Sequence, residues 1–281
     1  MSEKSSPQNG ISIKKRLAFW QITAIAFFIF YMLLPIISTY MFSIATRWDR
    51  TILPEGYTLQ SYVRAFQASY FVVTLRNSLI LSIGAVIVSL LIIVPTVYWV
   101  FTRLPHAKSL LEILMILPFG IPTVVLALAL VRIYSLTPLS RSPVLLLGAV
   151  IVYSMPFMYR PVANALQAID AHTLTEAGQS LGANTFRILM SIIVPNILPG
   201  ILSGSLLVFA TVFAEFTLTR LIVGASFKTF PLLLVEYTRI NGNIAAAFSV
   251  ISFTIAWLAS ILILRVGSKD HAAQTEAMQA R

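Results

Sequence analysis

The sequence contains no cysteine, which excludes a disulfide framework and thiolate metal ligation. Its three histidines, His106, His172 and His271, lie far apart and show no metal-ligand spacing, so no metal site is expected. Charge is scarce. Only 11% of the residues are charged and only 10 are acidic, against roughly a quarter charged in ordinary soluble domains. Signatures of chemistry are missing too. There is no GxxxxGKS/T phosphate loop, no HExxH and no GxSxG elbow, so the chain shows no ATP site of its own and no credible catalytic constellation.

Apolar surface is abundant. Hydrophobic residues make up 58% of the chain, more than a soluble core needs, and lipid is the natural solvent for the excess. The formal charge of +10 is scattered between apolar segments or placed at their ends. That distribution favours anionic lipid headgroups, with an acidic partner surface as a second option, over a nucleic-acid groove. No basic run interleaved with aromatics is present, and no nucleic-acid partner is expected.

Taken in order, the chain reads as an all-α polytopic membrane protein. A polar tail (residues 1–16) opens with a disordered stretch over residues 1–10 and ends in Lys14-Lys15-Arg16. The apolar segment that follows, residues 17–45, is too long for a signal-peptide core and is expected to be an uncleaved first span. Residues 46–70 form a polar interruption. Thr58 can cap a short helix there, with Leu59, Tyr62, Val63 and Phe66 on one face. Further spans are expected over residues 77–101, 110–132, 144–158, 197–216 and 244–264, the fourth able to continue past Pro161. A short polar tail covers 267–281. Pro118 and Pro122 fall inside the third span and Pro156 near the end of the fourth, where a kink serves either packing or a pore-lining bend. Gly200, Gly204 and Ser205 give the fifth span a small face for close helix approach. Six spans put both termini on one side. Basic residues divide almost evenly between the two sides, but the cluster before the first span places the N-terminus in the cytoplasm.

Residues 170–195 form one of the few long breaks in the run of apolar segments. Leu174, Ala177, Gly178 and Leu181 share one helical face. Gly182 suits a left-handed helix end. Asn184 can cap a second helix carrying Phe186, Leu189, Met190 and Ile193 on one side. Thr173-x-x-Glu176 also has the form of a capping box.

Within this loop, Glu176-Ala177-Gly178, three residues, Gly182, nine residues and then Ile192-Ile193-Val194-Pro195 resembles the EAA loop of ABC-importer permeases, E-A-A-x3-G-x9-I-x-L-P. Gly178 stands for the second alanine and Val194 for leucine. The wider resemblance, to the type I importer permease with six spans and a cytoplasmic two-helix coupling loop, covers residues 17–266. It implies that Glu176, Ala177, Gly178, Gly182 and Pro195 couple the membrane domain to a separate ATPase dimer, which would hold the ATP and Mg. This chain itself would need no cofactor and would be a transport subunit rather than an enzyme. The resemblance further implies a second permease subunit, identical or homologous, an extracytoplasmic solute-binding protein, and a bacterial inner membrane.

Pro122, Pro156 and Glu215 are the candidates for a translocation path or gate. Glu215 is the one acid near the end of an apolar span. It either meets a cationic solute or makes a structural pairing, for instance with Arg220. The stretches 213–224 and 230–232 resemble permeases for polyamines, ferric iron or 2-aminoethylphosphonate. An ion-coupled secondary transporter and a non-transporting membrane scaffold are the competing classes. The first normally shows paired intramembrane charges or repeated discontinuous spans, and neither is evident in the sequence.

Overall fold

The computed structural model describes residues 8–48 and 51–279. Among these the chain is mainly helical, with one isolated bridge, Ala45 to Tyr57, and no strand. The helices are α1 (Gln8–Ile44), α2 (Gln60–Phe66), α3 (Phe71–Arg103), α4 (Lys108–Ile116), α5 (Thr123–Ile133), α6 (Pro143–Ala168), α7 (Ala171–Ser180), α8 (Thr185–Ile188), α9 (Val194–Asn196), α10 (Leu198–Phe213), α11 (Thr217–Ile222), α12 (Phe230–Thr238) and α13 (Gly242–Gln279). Four of them contain stretches long and apolar enough to cross a membrane: Phe19–Ile44, Phe71–Arg103, Pro143–Ala168 and Gly242–Ile263. Two more spans result when each of two bent helix pairs is counted as one.

The third span carries the interruption expected from Pro118 and Pro122, and a second bend lies just ahead of the fifth span. Pro105–Gly120 and Thr123–Ile133 meet at 95°. A 3₁₀ turn, Leu117–Gly120, follows α4, and Ile121 is then extended (φ −100°, ψ 120°). Pro122 favours this, because its ring disfavours the helical conformation for the residue before it. Thr185–Asn196 and Leu198–Phe213 meet at 78°. The fourth span does run on past Pro161, to Ala168. Residues 1–7 of the stretch expected to be disordered lie outside the described residues, and Gln8–Gly10 already belong to α1.

Two compact units emerge. The smaller holds residues 1–66 and 241–250. Here Asn243 donates through Nδ2 to Phe42 O (3.0 Å), which also accepts from Ala45 N (3.3 Å), and to Ala45 O (2.9 Å), at the end of α1 where carbonyls run out of helical partners. Asn241 Oδ1 accepts from the Asn243 and Ile244 amides and so caps α13. The Thr58 hydroxyl accepts from Gln60 N at the start of α2, as expected. The face of α2 is not as expected. Ser61 and Ala65 turn inward while Leu59, Val63 and Phe66 are exposed. The Tyr62–Ser43 hydroxyl bond (2.7 Å) fixes that rotation.

The larger unit holds residues 67–240 and 251–281. Its core is the mutual packing of α3, α6 and α10, with Ile93, Val97, Leu146, Val150, Met158, Val162 and Val208 buried. The expected small face of α10 sits against α6. A Cβ on Gly200 would lie 2.6 Å from Pro161 O and from Ala165 Cβ, and one on Gly204 would lie 2.8 Å from Met158 Sδ. Asn77 Nδ2 donates to Lys228 O (2.9 Å), and Ser78 Oγ accepts from Phe230 N (2.8 Å), fastening the start of α12 to α3.

Candidate functional site

The 170–195 loop is two helical pieces joined by a tight turn. α7 starts at Ala171, behind Asp170 in the left-handed region (φ 45°). The capping box is therefore not formed, because Thr173 sits inside the first turn rather than ahead of it. Its hydroxyl donates instead to Asp170 Oδ2 at 2.7 Å. That bond holds the exposed Asp170 carboxyl below the usual carboxylate range. With the folded pKa depressed, the associated stabilisation is present above the ordinary value and is lost as pH falls through the lowered one. Glu176 lies on the exposed side, 3.6 Å from His172 one turn back.

α7 closes as the sequence predicts. Gly182 has φ +81°. The Gly182 amide donates to Gln179 O (2.8 Å) and the Ala183 amide to Gly178 O (3.0 Å), the paired bonds of a Schellman ending. No atom lies within 4 Å of where a Gly182 Cβ would be, so conformation, not space, demands glycine there. Asn184 Oδ1 accepts from the Arg187 amide (2.8 Å) and caps α8, also as predicted.

The faces differ from the simple helical count. α7 buries Ala171, Thr175 and Gly178 and exposes Ala177 and Leu181, the latter 87% accessible. Gly178 belongs to internal packing, for its Cβ would meet Ile188 Cγ1 at 3.0 Å and Ile192 Cδ1 at 3.3 Å. In the second piece Ile188, Leu189 and Ile193 are buried while Phe186 and Met190 are exposed. A π-helical turn over Leu189–Ile193 breaks the regular α spacing from Leu189 onward. Such a turn adds a residue and rotates everything after it. Pro195 follows directly, and having no N–H it cannot make the i−4 bond that a regular helix would require there. Ala177, Leu181 and Phe186 are thus outward-facing residues on both sides of the Gly182 turn.

The predicted path residues are not brought together with the loop. Glu215, just beyond α10, is buried. Its Oε1 accepts from Leu218 N (2.9 Å), and its Oε2 from Thr219 N (3.0 Å) and more weakly from Thr219 Oγ1 (3.4 Å). It caps α11, and the pairing with Arg220, an exposed residue, is not among these contacts. Pro122 marks the 95° bend, and Pro156 is buried within α6. Next to that bend Phe119 stacks on Tyr153 (centroids 6.1 Å) and meets Phe157 edge-on (5.3 Å).

Sequence reasoning missed Tyr98 and Thr175. The Tyr98 hydroxyl on α3 lies 3.1 Å from Thr175 Oγ1 on α7, and both residues are buried. They stand 77 positions apart, so no local pattern links them. Among the described residues, no group of three His, Asp or Glu side chains is placed to hold a metal.

The family described as "Binding-protein-dependent transport system inner membrane component" matches residues 102–268. The chain is 30% identical over 220 residues to the spermidine/putrescine transport system permease protein PotB of Haemophilus influenzae, covering 70% of this chain and 74% of that one. It is 25% identical over 268 residues to the probable ABC transporter permease protein y4fN of Sinorhizobium fredii. That match covers 92% of this chain but 47% of the relative, so this chain spans about half the relative's length. Among solved structures it resembles a chain of a bacterial ABC transporter involved in the import of the acidic polysaccharide alginate. The TM-score is 0.68 at 16% identity, over 94% of this chain and 99% of that one.

Proposed function

Because the chain belongs to the binding-protein-dependent transport system inner membrane component family, we propose that it is the membrane-spanning permease subunit of an ATP-driven importer. In this reading it contributes the solute path, while ATP and Mg are bound by a separate ATPase dimer. Residues 17–266 are the membrane domain, both tails are cytoplasmic, and a second permease subunit and an extracytoplasmic binding protein complete the assembly in a bacterial inner membrane.

The observation that carries the coupling role is the exposed tip of the 170–195 loop. A helix ending in a Schellman turn presents Glu176, Ala177 and Leu181 outward, with Phe186 beyond Gly182. Exposed apolar side chains on a rigid polar loop mark a docking surface. Gly178 and Pro195 act differently from Ala177. They shape the knob from inside, through the Ile188–Ile192 contact and the π turn. Closure of the ATPase dimer would carry this knob, and the helices packed on it would switch the cavity between inward and outward access.

A polyamine is the favoured solute, supported by the likeness to the PotB permease. 2-Aminoethylphosphonate and ferric iron remain the alternatives to test by competition.

Gly182→Asp is the direct test. Asp can enter the left-handed region at modest cost, and nothing crowds the site, so the protein should still reach the membrane. Uptake of labelled spermidine in cells expressing the full transporter should fall at least tenfold at unchanged membrane level. Normal uptake would overturn the coupling role of the loop. Transport by this chain without an ATPase subunit would instead favour a secondary transporter.

A further inference from the structure

α7 touches the membrane helices at two places, and only one of them follows the chain. On one side Gly178 rests on Ile188 and Ile192, which lead through Pro195 into α10. On the other side Thr175 meets Tyr98 of α3, a helix far away in sequence. The proton positions in this second contact can be assigned. The Thr175 hydroxyl donates to Ala171 O at 2.6 Å, which uses its single hydrogen. The Tyr98 hydroxyl must then donate to Thr175 Oγ1.

The bond is shielded. Tyr98 is 2% exposed and Thr175 4%. Thr102, one turn further along α3, donates from Oγ1 to Tyr98 O at 2.8 Å and lines a cavity of about 70 Å³ with Arg103, His172, Thr175, Glu176 and Gln179, so the Thr175 end of the bond borders a small polar cavity. Val94, Val97 and Phe101, close to Tyr98 along α3, are buried as well. An isolated hydroxyl in such a place is costly, and the cost disappears only while the two helices keep their register.

We propose that the Tyr98–Thr175 hydrogen bond is the latch through which displacement of α7 is passed to α3, making Tyr98 and Thr175 positioning residues of the coupling step. The inference rests on the reading of the 170–195 loop as the ATPase-coupling loop. Without the latch, α7 would still be carried by its partner, but it could slip against α3 while α10 alone followed. With it, α3 moves as one body with the knob. From Tyr98 to Phe71, α3 runs 27 residues, so a shift at the loop reaches a point about 40 Å away.

The absence of cysteine provides a clean probe. Ser69→Cys places a single thiol on an exposed residue just before α3, at the end opposite Tyr98. The complex with its ATPase subunit would be reconstituted in nanodiscs. The rate of labelling by a charged maleimide would be measured with no nucleotide and with ATP–vanadate, alongside basal ATP hydrolysis. In the otherwise native chain, ATP–vanadate should change the labelling rate at least threefold. Tyr98→Phe and Thr175→Val should each reduce that response about fivefold, the factor carried by a hydrogen bond of ordinary net strength. Basal hydrolysis should stay within twofold. Thr175→Ser, which keeps the acceptor, should restore the response, and the double variant should be no worse than either single one.

A full response in both Tyr98→Phe and Thr175→Val would overturn the latch, as would losses that multiply in the double variant. So would an unresponsive native chain, because α3 would then not follow the nucleotide. If Tyr98→Phe fails to assemble, the variants at position 175 decide the matter, Val keeping the shape of threonine without its hydroxyl and Ser keeping the hydroxyl without its methyl. Gly182→Asp separates the two levels. If it leaves the response intact, the loop reading fails and the latch with it. If it abolishes the response while Tyr98→Phe does not, only the latch fails.

Discussion

Glu215 shows how a costly residue can be explained by its neighbours. An acid at the end of an apolar helix is first read as a solute contact, but both of its oxygens are taken by amides of α11. Glu215→Gln keeps one good acceptor and should cost about 1–2 kcal/mol of stability, seen as a lower melting temperature of the detergent-solubilised protein. Solute preference should not change. A shifted preference at unaltered stability would return Glu215 to the path. Gly200 is simpler, because its missing Cβ is where Pro161 O and Ala165 already sit. Gly200→Ala should destabilise by roughly 1–3 kcal/mol through overpacking, read from the same melting curve by the fluorescence of the four tryptophans. At this scale the sequence was most informative where a residue acts on its own backbone, although the Thr173 capping box shows that even there it could mislead. Gly182 and Asn184 could be assigned from type and position because turn ends and caps are local chemistry. Tyr98 and Thr175 could not, because their meaning lies in a contact between helices distant in sequence.

Among the elements, hydropathy located every apolar stretch but not its path. The prolines at 118 and 122 announced an interruption, yet a 95° bend also needs something to hold the corner. Phe119 does so, with Tyr153 and Phe157 of α6 on either side of its ring. Phe119→Ala should remove two aromatic pairs worth together about 1–3 kcal/mol. It should also raise hydrogen exchange in α4 and α5 above that in α10, and uniform protection across the three helices would contradict this role. The loop faces were misjudged for a comparable reason. A count in steps of three and four gives the spacing of a face but not which face meets its neighbours, and the π turn before Pro195 breaks even that spacing from Leu189 onward. The capping box failed because Asp170 takes the left-handed conformation and the helix begins two residues before Thr173. Both signals were present in the sequence, but each was compatible with more than one backbone.

For the whole molecule, the proposed role is that of an importer permease whose loop converts an ATPase partner's motion into access. The scarcity of charge, the missing phosphate loop and the family match over residues 102–268 all bear on that role. What one chain cannot encode is the partner surface, so the function of the loop has to be read from what it leaves uncovered. Leu181 is the residue to interrogate, being large, apolar and 87% exposed at the tip.

The most direct measurement is photo-crosslinking with benzoylphenylalanine at position 181 in the assembled transporter, with the same group at the 94% exposed Ile52 as the control. Position 181 should yield an adduct with the ATP-binding subunit, and position 52 should not. An adduct to that subunit from position 52 and none from position 181 would contradict both the orientation and the coupling role of the loop.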